Sequence, residues 1–433
     1  DPRDEHDSCG VGFVADISGR QSHMILDYAL TSVINVTHRG ALDADAKTGD
    51  GAGILTQIPS AIFYPEANRR GYHSDSPDDL AVAAVFLPLD NTRMANKCRS
   101  LLEEASKQHD LTVVGWRDVP IDPSVLGEKA LATMPLIQHL LLGRPTEMSS
   151  PEFQRNLFLA RKQAENSILH HKLIGSYILS MSNKTIVYKG LLLATQLKSF
   201  YLDLQDPRFH TALAVFHQRY STNTLPNWIL AQPFRYLAHN GEINTLQGNS
   251  NWMMAREHEL ESAVWGNRVR ELAPIIQSDG SDSSSLDNAL ETLALSGRDL
   301  LHSMMMLIPE PWENMPNMNS EWRAFYEYHA CLTEPWDGPA ALAFSDGTVV
   351  GAVLDRNGLR PARYKITDNG ILIMASEVGT IDLDDAHVVE KGRLGPGQMI
   401  AVDTARKQLL RNDDIKLHYS RRQPYAKWIK DNM

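Results

Sequence analysis

The sequence predicts an α+β fold in which antiparallel sheets are layered with helices. Three observations point to it. Strand-like and helix-like stretches come in unequal clusters, whereas a doubly wound parallel sheet would alternate them strictly. A late block, PAALAFSDGTVVGAVLDRNGLRPARYKIT, sets Asp-Gly and Asn-Gly between apolar runs, the signal of tight turns between antiparallel strands. No repeat, low-complexity tract or long linker interrupts the 433 residues, which read as one compact unit.

The elements follow in order. CGVGFVADIS reads as an opening strand, and SHMILDYALTSVINVTH carries apolar residues at helical spacing. HRGALDADAKTGDGAG is a long glycine-rich loop that returns as the strand GILTQIP. LAVAAVFL and LTVVGW read as strands around a helix near MANKCRSLLEEASKQ, and a further helix is expected from Pro151 to about Leu169. Strand patterns resume at SYILSMS, TIVYKG and TALAVFHQ. Two helices are expected after HNGEIN, one over Asn244 to Glu257 and one over Ser284 to Leu295.

Composition excludes several classes. The chain is 43% hydrophobic and 22% charged, ordinary for a folded domain, and its net charge of -11 argues against a general nucleic-acid binder. No apolar run approaches the roughly 18 residues of a membrane span. Cys9, Cys98 and Cys331 are odd in number and far apart, without a C-x-x-C, so neither a disulfide framework nor a zinc ribbon is expected. A reducing cytoplasm fits them. The histidines show no ligand spacing, and no metal site is expected.

Four stretches hold residues suited to chemistry. In DEHDSCGVGF a lone cysteine stands between a polar leader and the first strand. Its plain reading is a small buried apolar residue. Removal of residues 1–8 would instead place a thiol and a free α-amine on one residue, and an amine of pKa about 7.7 to 8 can act as a general base. In HQRYSTNTLPNW, Arg219 sits at a strand end, either in a surface ion pair or offering a planar fork to a carboxylate. In YLAHNGEINTLQGN, Asn240-Gly241 is either a hairpin turn or an oxyanion hole built from a side-chain amide and a glycine N–H. In QSDGSDSSSLDN, Asp282 is either a helix N-cap or a carboxylate for a ligand ammonium.

Together these stretches resemble the class II glutamine amidotransferases, members of the N-terminal-nucleophile hydrolases. The closer resemblance is to the glutaminase domain of the glutamate synthase large subunit. CGVGF, HRGALDADAKTGDGAGI, HQRYSTNTLPNW, AHNGEINTLQGN, SDGSDSSSLDN and LDRNGLRPARY match in order, while residues 60 to 200 match loosely. The resemblance implies a four-layer αββα sandwich, two antiparallel sheets between helical layers. It implies a propeptide over residues 1–8 and one amidotransferase domain over 9–433. It makes Cys9 the nucleophile, and Asn240 with Gly241 the oxyanion stabilisers. Arg219 then binds the α-carboxylate of L-glutamine, and Asp282, ahead of its competitor Asp279, the α-ammonium. It implies no cofactor in this chain, with FMN and a 3Fe-4S cluster in further domains. The partners implied are the synthase and FMN-binding domains, and a reductase subunit or ferredoxin. In a plant or alga the location is a plastid. Two alternatives stay open: an amidotransferase serving a phosphoribosyl or sugar-phosphate acceptor, and an unprocessed, non-catalytic binding module.

Overall fold

The structure is a computed structural model and describes residues 9–45, 47–74, 76–219, 226–278 and 280–432. The leader 1–8, Asp279 and residues 220–225 of the HQRYSTNTLPNW stretch lie outside the described residues. Contacts divide the chain into two compact units: residues 21–235 form one, and residues up to 20 together with 236 onward form the other. The 21–235 stretch carries strands, helices and a hydrophobic core of its own, which no change in composition announces.

The first strand, β1 (Gly10–Asp16), is buried along its whole length. The unit 21–235 then runs through α1 (His23–Asn35), β2 (Ala52–Gln57), α2 (Ser60–Arg69), β3 (Leu80–Leu87), α3 (Thr92–Gln108) and β4 (Thr112–Asp118). It continues through α4 (Glu128–Ala132), β5 (Leu136–Gly143), α5 (Ser150–His170), β6 (Tyr177–Ser182), β7 (Thr185–Gly190), α6 (Ala194–Phe200) and β8 (Leu213–Gln218). Antiparallel pairing sets β8-β2-β7 side by side and builds a second group, β4-β5-β3-β6. Alternate residues of β3, Ala81, Ala83, Val85 and Leu87, share a core with Cys98 and Leu102 of α3 and Phe153 and Leu157 of α5. Burying one such large apolar side chain contributes about 1.5–3 kcal/mol. Cys98 falls on the buried stripe of α3 with Ala95, Leu102 and Ala105, and is a packing residue. Helix α1 lies on β8 and β2.

The other unit joins β1 to β9 (Leu237–Gly241), α7 (Leu246–Arg256), α8 (Asp282–Leu293), α9 (Leu300–Leu307) and α10 (Ser320–Ala330). There follow β10 (Ala340–Ser345), β11 (Val349–Leu354), β12 (Arg363–Thr367), β13 (Ile371–Ala375), β14 (Val388–Arg393), β15 (Met399–Asp403), β16 (Gln408–Arg411), α11 (Asn412–Ser420) and α12 (Tyr425–Asn432). Two antiparallel groups form, β14-β12-β13-β1 and β16-β15-β11-β10-β9. Strand β1 packs on β9, β10 and β11, and α8 covers β9. The chain is therefore α+β with antiparallel sheets. Of the expected layers, this unit supplies sheet, sheet and helix, and the other supplies a helix laid on strands.

The turn signals resolve differently from one another. Asp346-Gly347 closes the β10–β11 hairpin, where Ser345 faces Val350. Asn357-Gly358 closes no hairpin, because β11 and β12 belong to different groups of strands; the Gly358 N–H donates to Asp355 O at 3.0 Å and the chain crosses over. Asn369-Gly370 makes the β12–β13 hairpin instead, with the Gly370 N–H on Thr367 O at 3.0 Å.

Helix α8 is capped by Ser281, whose Oγ accepts the Ser284 N–H at 3.2 Å. Asp282 is the first helical residue, so the N-cap reading of Asp282 moves one residue upstream. Ser281→Ala is expected to lower stability by about 0.5–2 kcal/mol, read from urea unfolding.

The far edges of the two groups are clasped. Arg411 donates two bonds, 2.8 and 2.6 Å, to the Glu390 carboxylate of β14, and the Tyr364 hydroxyl adds a third at 2.8 Å. The Arg411 fork, aided by Tyr364 and opposed by burial, holds the Glu390 carboxyl down to about 2. A folded value below the unfolded one, about 4.3, means full stabilisation above about pH 4.3 and its loss as pH falls through the folded value. Glu390→Gln is expected to melt below the parent near neutral pH, with the gap closing as the pH approaches 2.

Candidate active site

Cys9 immediately precedes β1 and is 9% exposed. Both of its backbone groups are held by one side chain. The Cys9 N–H donates to Asn240 Oδ1 at 3.2 Å, and Asn240 Nδ2 donates to Cys9 O at 2.9 Å. The amide of Asn240 thus pairs with Cys9 as a neighbouring strand would. The Ser376 hydroxyl, just past β13, donates to Cys9 O at 3.4 Å and accepts the Val11 N–H at 3.2 Å. Three segments far apart in sequence fix the backbone of the cysteine.

Asn240 and Gly241 end β9 opposite Ala341 and Ala340 of β10. Ala340 spends its C=O on the Asp355 N–H at 2.9 Å and its N–H on Asp355 Oδ1 at 3.0 Å, both on its other side. The next ladder bond from β9 is the Glu242 N–H to Pro339 O at 3.0 Å. The alternation of antiparallel bonds then turns the Gly241 N–H away from β10, toward the open edge of the group. Gly241 has φ +145°, and a Cβ there would collide with Pro339 O, so glycine is required. A turn into α7 follows, so Asn240-Gly241 belongs to a strand-turn-helix, not to a hairpin.

Asp282 is buried at the start of α8. Its Oδ2 accepts the Ile243 N–H at 2.9 Å, tying the turn after Gly241 to α8, and its Oδ1 accepts the Ser283 N–H at 2.7 Å and hydroxyl at 3.2 Å. The N-terminal end of a helix favours this negative charge. Behind it lies His239, on the opposite face of β9 from Asn240, with Nδ1 2.9 Å from Ser283 Oγ. Burial lowers the His239 pKa, opposed by Asp282, so the ring is neutral near pH 7. With Ser283 Oγ donating to Asp282, the imidazole donates from Nδ1.

Arg219 belongs to the other unit, one residue past β8. Its φ of +94° is a conformation that side chains other than glycine rarely adopt, at a cost on the order of 1–3 kcal/mol. Its N–H donates to Gly51 O at 2.9 Å, and its Nε lies 3.9 Å from Asp50 Oδ2 with the side chain 15% exposed. A loose surface ion pair does not describe this partly buried, backbone-strained arginine. The structure thus gathers Cys9, Asn240, Gly241 and Asp282 within one unit and places Arg219 at a strand end in the other.

The family model of class-II glutamine amidotransferases matches residues 9–428. The chain belongs to the class-II glutamine amidotransferases. This amidotransferase is 43% identical over 431 residues to the glutamate synthase [NADPH] large chain of Azospirillum brasilense. It is 46% identical over 431 residues to the ferredoxin-dependent glutamate synthase 2 of Synechocystis. Each match covers 99% of the chain but only 28% and 27% of those proteins, so the chain spans under a third of the length of these relatives. Among solved structures, the glutamine phosphoribosylpyrophosphate amidotransferase from B. subtilis aligns over 75% of this chain and 47% of that one. Identity there is 15% and the TM-score 0.29, too slight a likeness to bear on the acceptor.

Three residues beside the candidate site escape sequence reasoning. His239 and Ser283 lie inside quoted motifs, yet nothing in their spacing says that they meet 44 positions apart. Ser376 lies outside every motif and reaches Cys9 across 367 positions. Among the described residues no group of three or more His, Cys, Asp or Glu side chains is placed to hold a metal ion, and no helix is long and apolar enough to cross a membrane.

Proposed function

We propose that this domain, freed of residues 1–8, hydrolyses L-glutamine through a Cys9 thioester. The observation that carries the reading is the double bond-pairing of the Cys9 backbone by the Asn240 side chain. It holds the nitrogen that becomes the α-amine, and it leaves the second Nδ2 hydrogen of Asn240 for another acceptor. The amine takes the thiol proton, and the thiolate attacks the side-chain amide carbon of glutamine. Asn240 Nδ2 and the Gly241 N–H receive the oxyanion. The protonated amine passes its proton to the departing nitrogen, ammonia leaves, and water hydrolyses the γ-glutamyl thioester to glutamate and free thiol.

Arg219 pairs with the glutamine α-carboxylate, and Asp282 with its α-ammonium. Asp282 has three protein donors on about four lone-pair sites, which leaves room for one more. Asp282→Ala would also release Ile243, so Asp282→Asn is the cleaner test of charge. Arg219→Ala and Asp282→Asn are each expected to lower kcat/KM roughly tenfold to over a hundredfold, mostly through KM, since losing a charged hydrogen bond costs about 1.5–3 kcal/mol. Normal glutamine binding by calorimetry in both variants overturns the two anchors.

In the complete protein the ammonia passes to 2-oxoglutarate at synthase domains that hold FMN and a 3Fe-4S cluster, reduced by a reductase subunit or by ferredoxin. The names of the relatives, one NADPH-dependent and one ferredoxin-dependent, support either donor. The cysteines here do not suit a cluster: Cys98 is packed in the α3 core, and Cys331 is exposed after α10. The proposed compartment is the cytoplasm, or the plastid in a plant or alga.

The test incubates chain of verified N-terminal sequence with glutamine labelled at the amide nitrogen. Label in free ammonia, made only by chain that begins at Cys9, supports the reading. Equal turnover by chain retaining residues 1–8 sinks it, and binding without turnover by the processed chain indicates the non-catalytic module.

A further inference from the structure

Strands β12, β13 and β14 carry an arrangement that the glutaminase reading leaves unused. Register places Arg363 directly opposite Arg393, and Lys365 directly opposite Lys391. The same rows continue to Ala375 and Ile373 of β13. Side chains two apart share a face, so four cations and two apolar residues stand together. All six line a groove of about 400 Å³, which Val378, Ile381 and Leu383 also line. Like charges directly opposite on neighbouring strands are destabilising, and here two such pairs are adjacent in a chain of net charge -11.

Local anions offset them only in part. Lys391 pairs with Asp385 at 2.8 Å, and Glu377 lies on the groove wall. Glu390 points to the other face, where Arg411 and Tyr364 hold it. Among the described residues, Arg363, Lys365 and Arg393 make no side-chain hydrogen bond or ion pair. Strand β14 is the last of its group and presents an edge.

We propose that this groove docks an extended acidic segment of a partner polypeptide, added along the β14 edge. Carboxylates at alternate positions of a strand are about 6.6–6.8 Å apart, the spacing of the two cation rows. Each carboxylate would face one opposed pair and relieve its repulsion, while main-chain bonds to β14 supply affinity without regard to sequence. A compact phosphate would engage one row and leave the other repelling. The two-row geometry therefore favours a strand over a small anion.

The probe is a fluorescein-labelled peptide of alternating Glu and Val, titrated into the full chain and read by anisotropy. Saturable binding is expected, weakening about tenfold or more on moving from low to high salt because exposed charges are screened. The double variant Lys365→Glu, Lys391→Glu should lose at least about tenfold in affinity, or 1.4 kcal/mol. Far-UV circular dichroism like the parent's and a cooperative melting transition show that the variant is folded. Failure of the parent to bind, or equal affinity in the double variant, overturns the proposal. So does equal affinity for a peptide of the same charge carrying prolines that block strand pairing. Full displacement by equimolar inorganic triphosphate overturns it in favour of a small-anion site.

Discussion

Cys9→Ala is expected to abolish glutamine hydrolysis while leaving the protein folded. The step at risk has no substitute: no other thiol lies in the gathered site, since Cys98 is in the other unit's core and Cys331 follows α10. Deleting the nucleophile of a serine-protease triad costs on the order of 10⁶ in kcat. The fold should tolerate the change, because what locks residue 9 in place is its backbone, held by Asn240 and Ser376, and alanine keeps every one of those bonds. Cys9→Ser keeps the shape and a hydroxyl, but a hydroxyl is a far poorer nucleophile near neutral pH, and it should be severely impaired too. The measurement is ammonia release from amide-labelled glutamine by chain whose mass shows residue 9 at its N-terminus. Turnover by Cys9→Ala above the uncatalysed rate would move the nucleophile elsewhere.

The second large effect belongs to Asn240. Asn240→Ala removes an oxyanion donor, worth about 10² to 10³ in kcat, and also unpairs both backbone groups of Cys9. Asn240→Asp keeps an acceptor for the Cys9 nitrogen but loses the donor to Cys9 O and presents negative charge where negative charge develops, so kcat should fall at least as far as in Asn240→Ala. A kcat unchanged in both variants would return Asn240 to a purely structural role beside β1.

Where local pattern suffices, the sequence was legible. The eight-residue apolar run of β3 and the alternating stretches of β6 to β8 fell where periodicity put them, and α8 began within two residues of its expected start. Pattern was silent for two other elements. LLHSMMML of α9 is buried at every position, so it shows no amphipathic stripe, and the β5 run LIQHLLLG is equally uninformative about helix or strand. The Asn357-Gly358 turn looked like a hairpin because turn chemistry is local, whereas the choice of strand group is made by long-range pairing. The site divides along the same line. Cys9, Asn240, Gly241 and Asp282 were readable as motifs, and Cys9 is bonded to Asn240 while Asp282 holds the turn after Gly241; His239, Ser283 and Ser376 are ordinary residue types whose meeting depends on distant registers. The positive φ of Arg219 had no sequence signal, because no glycine marks it.

The interposition of residues 21–235 between β1 and the rest of its unit bears on synthesis. Gly12 pairs with Ala375, so the strand carrying the nucleophile waits for a partner that leaves the ribosome 363 residues later. At about 5–20 residues per second that wait is roughly 20 to 70 seconds. The inner unit, complete by Arg235, is synthesised before any part of β9, Asp282 or Ser376. Asn240 and Ser376, which hold the cysteine's backbone, are made 231 and 367 residues after it. A nascent chain stopped short of β13 is expected to carry a folded inner unit and an inert thiol.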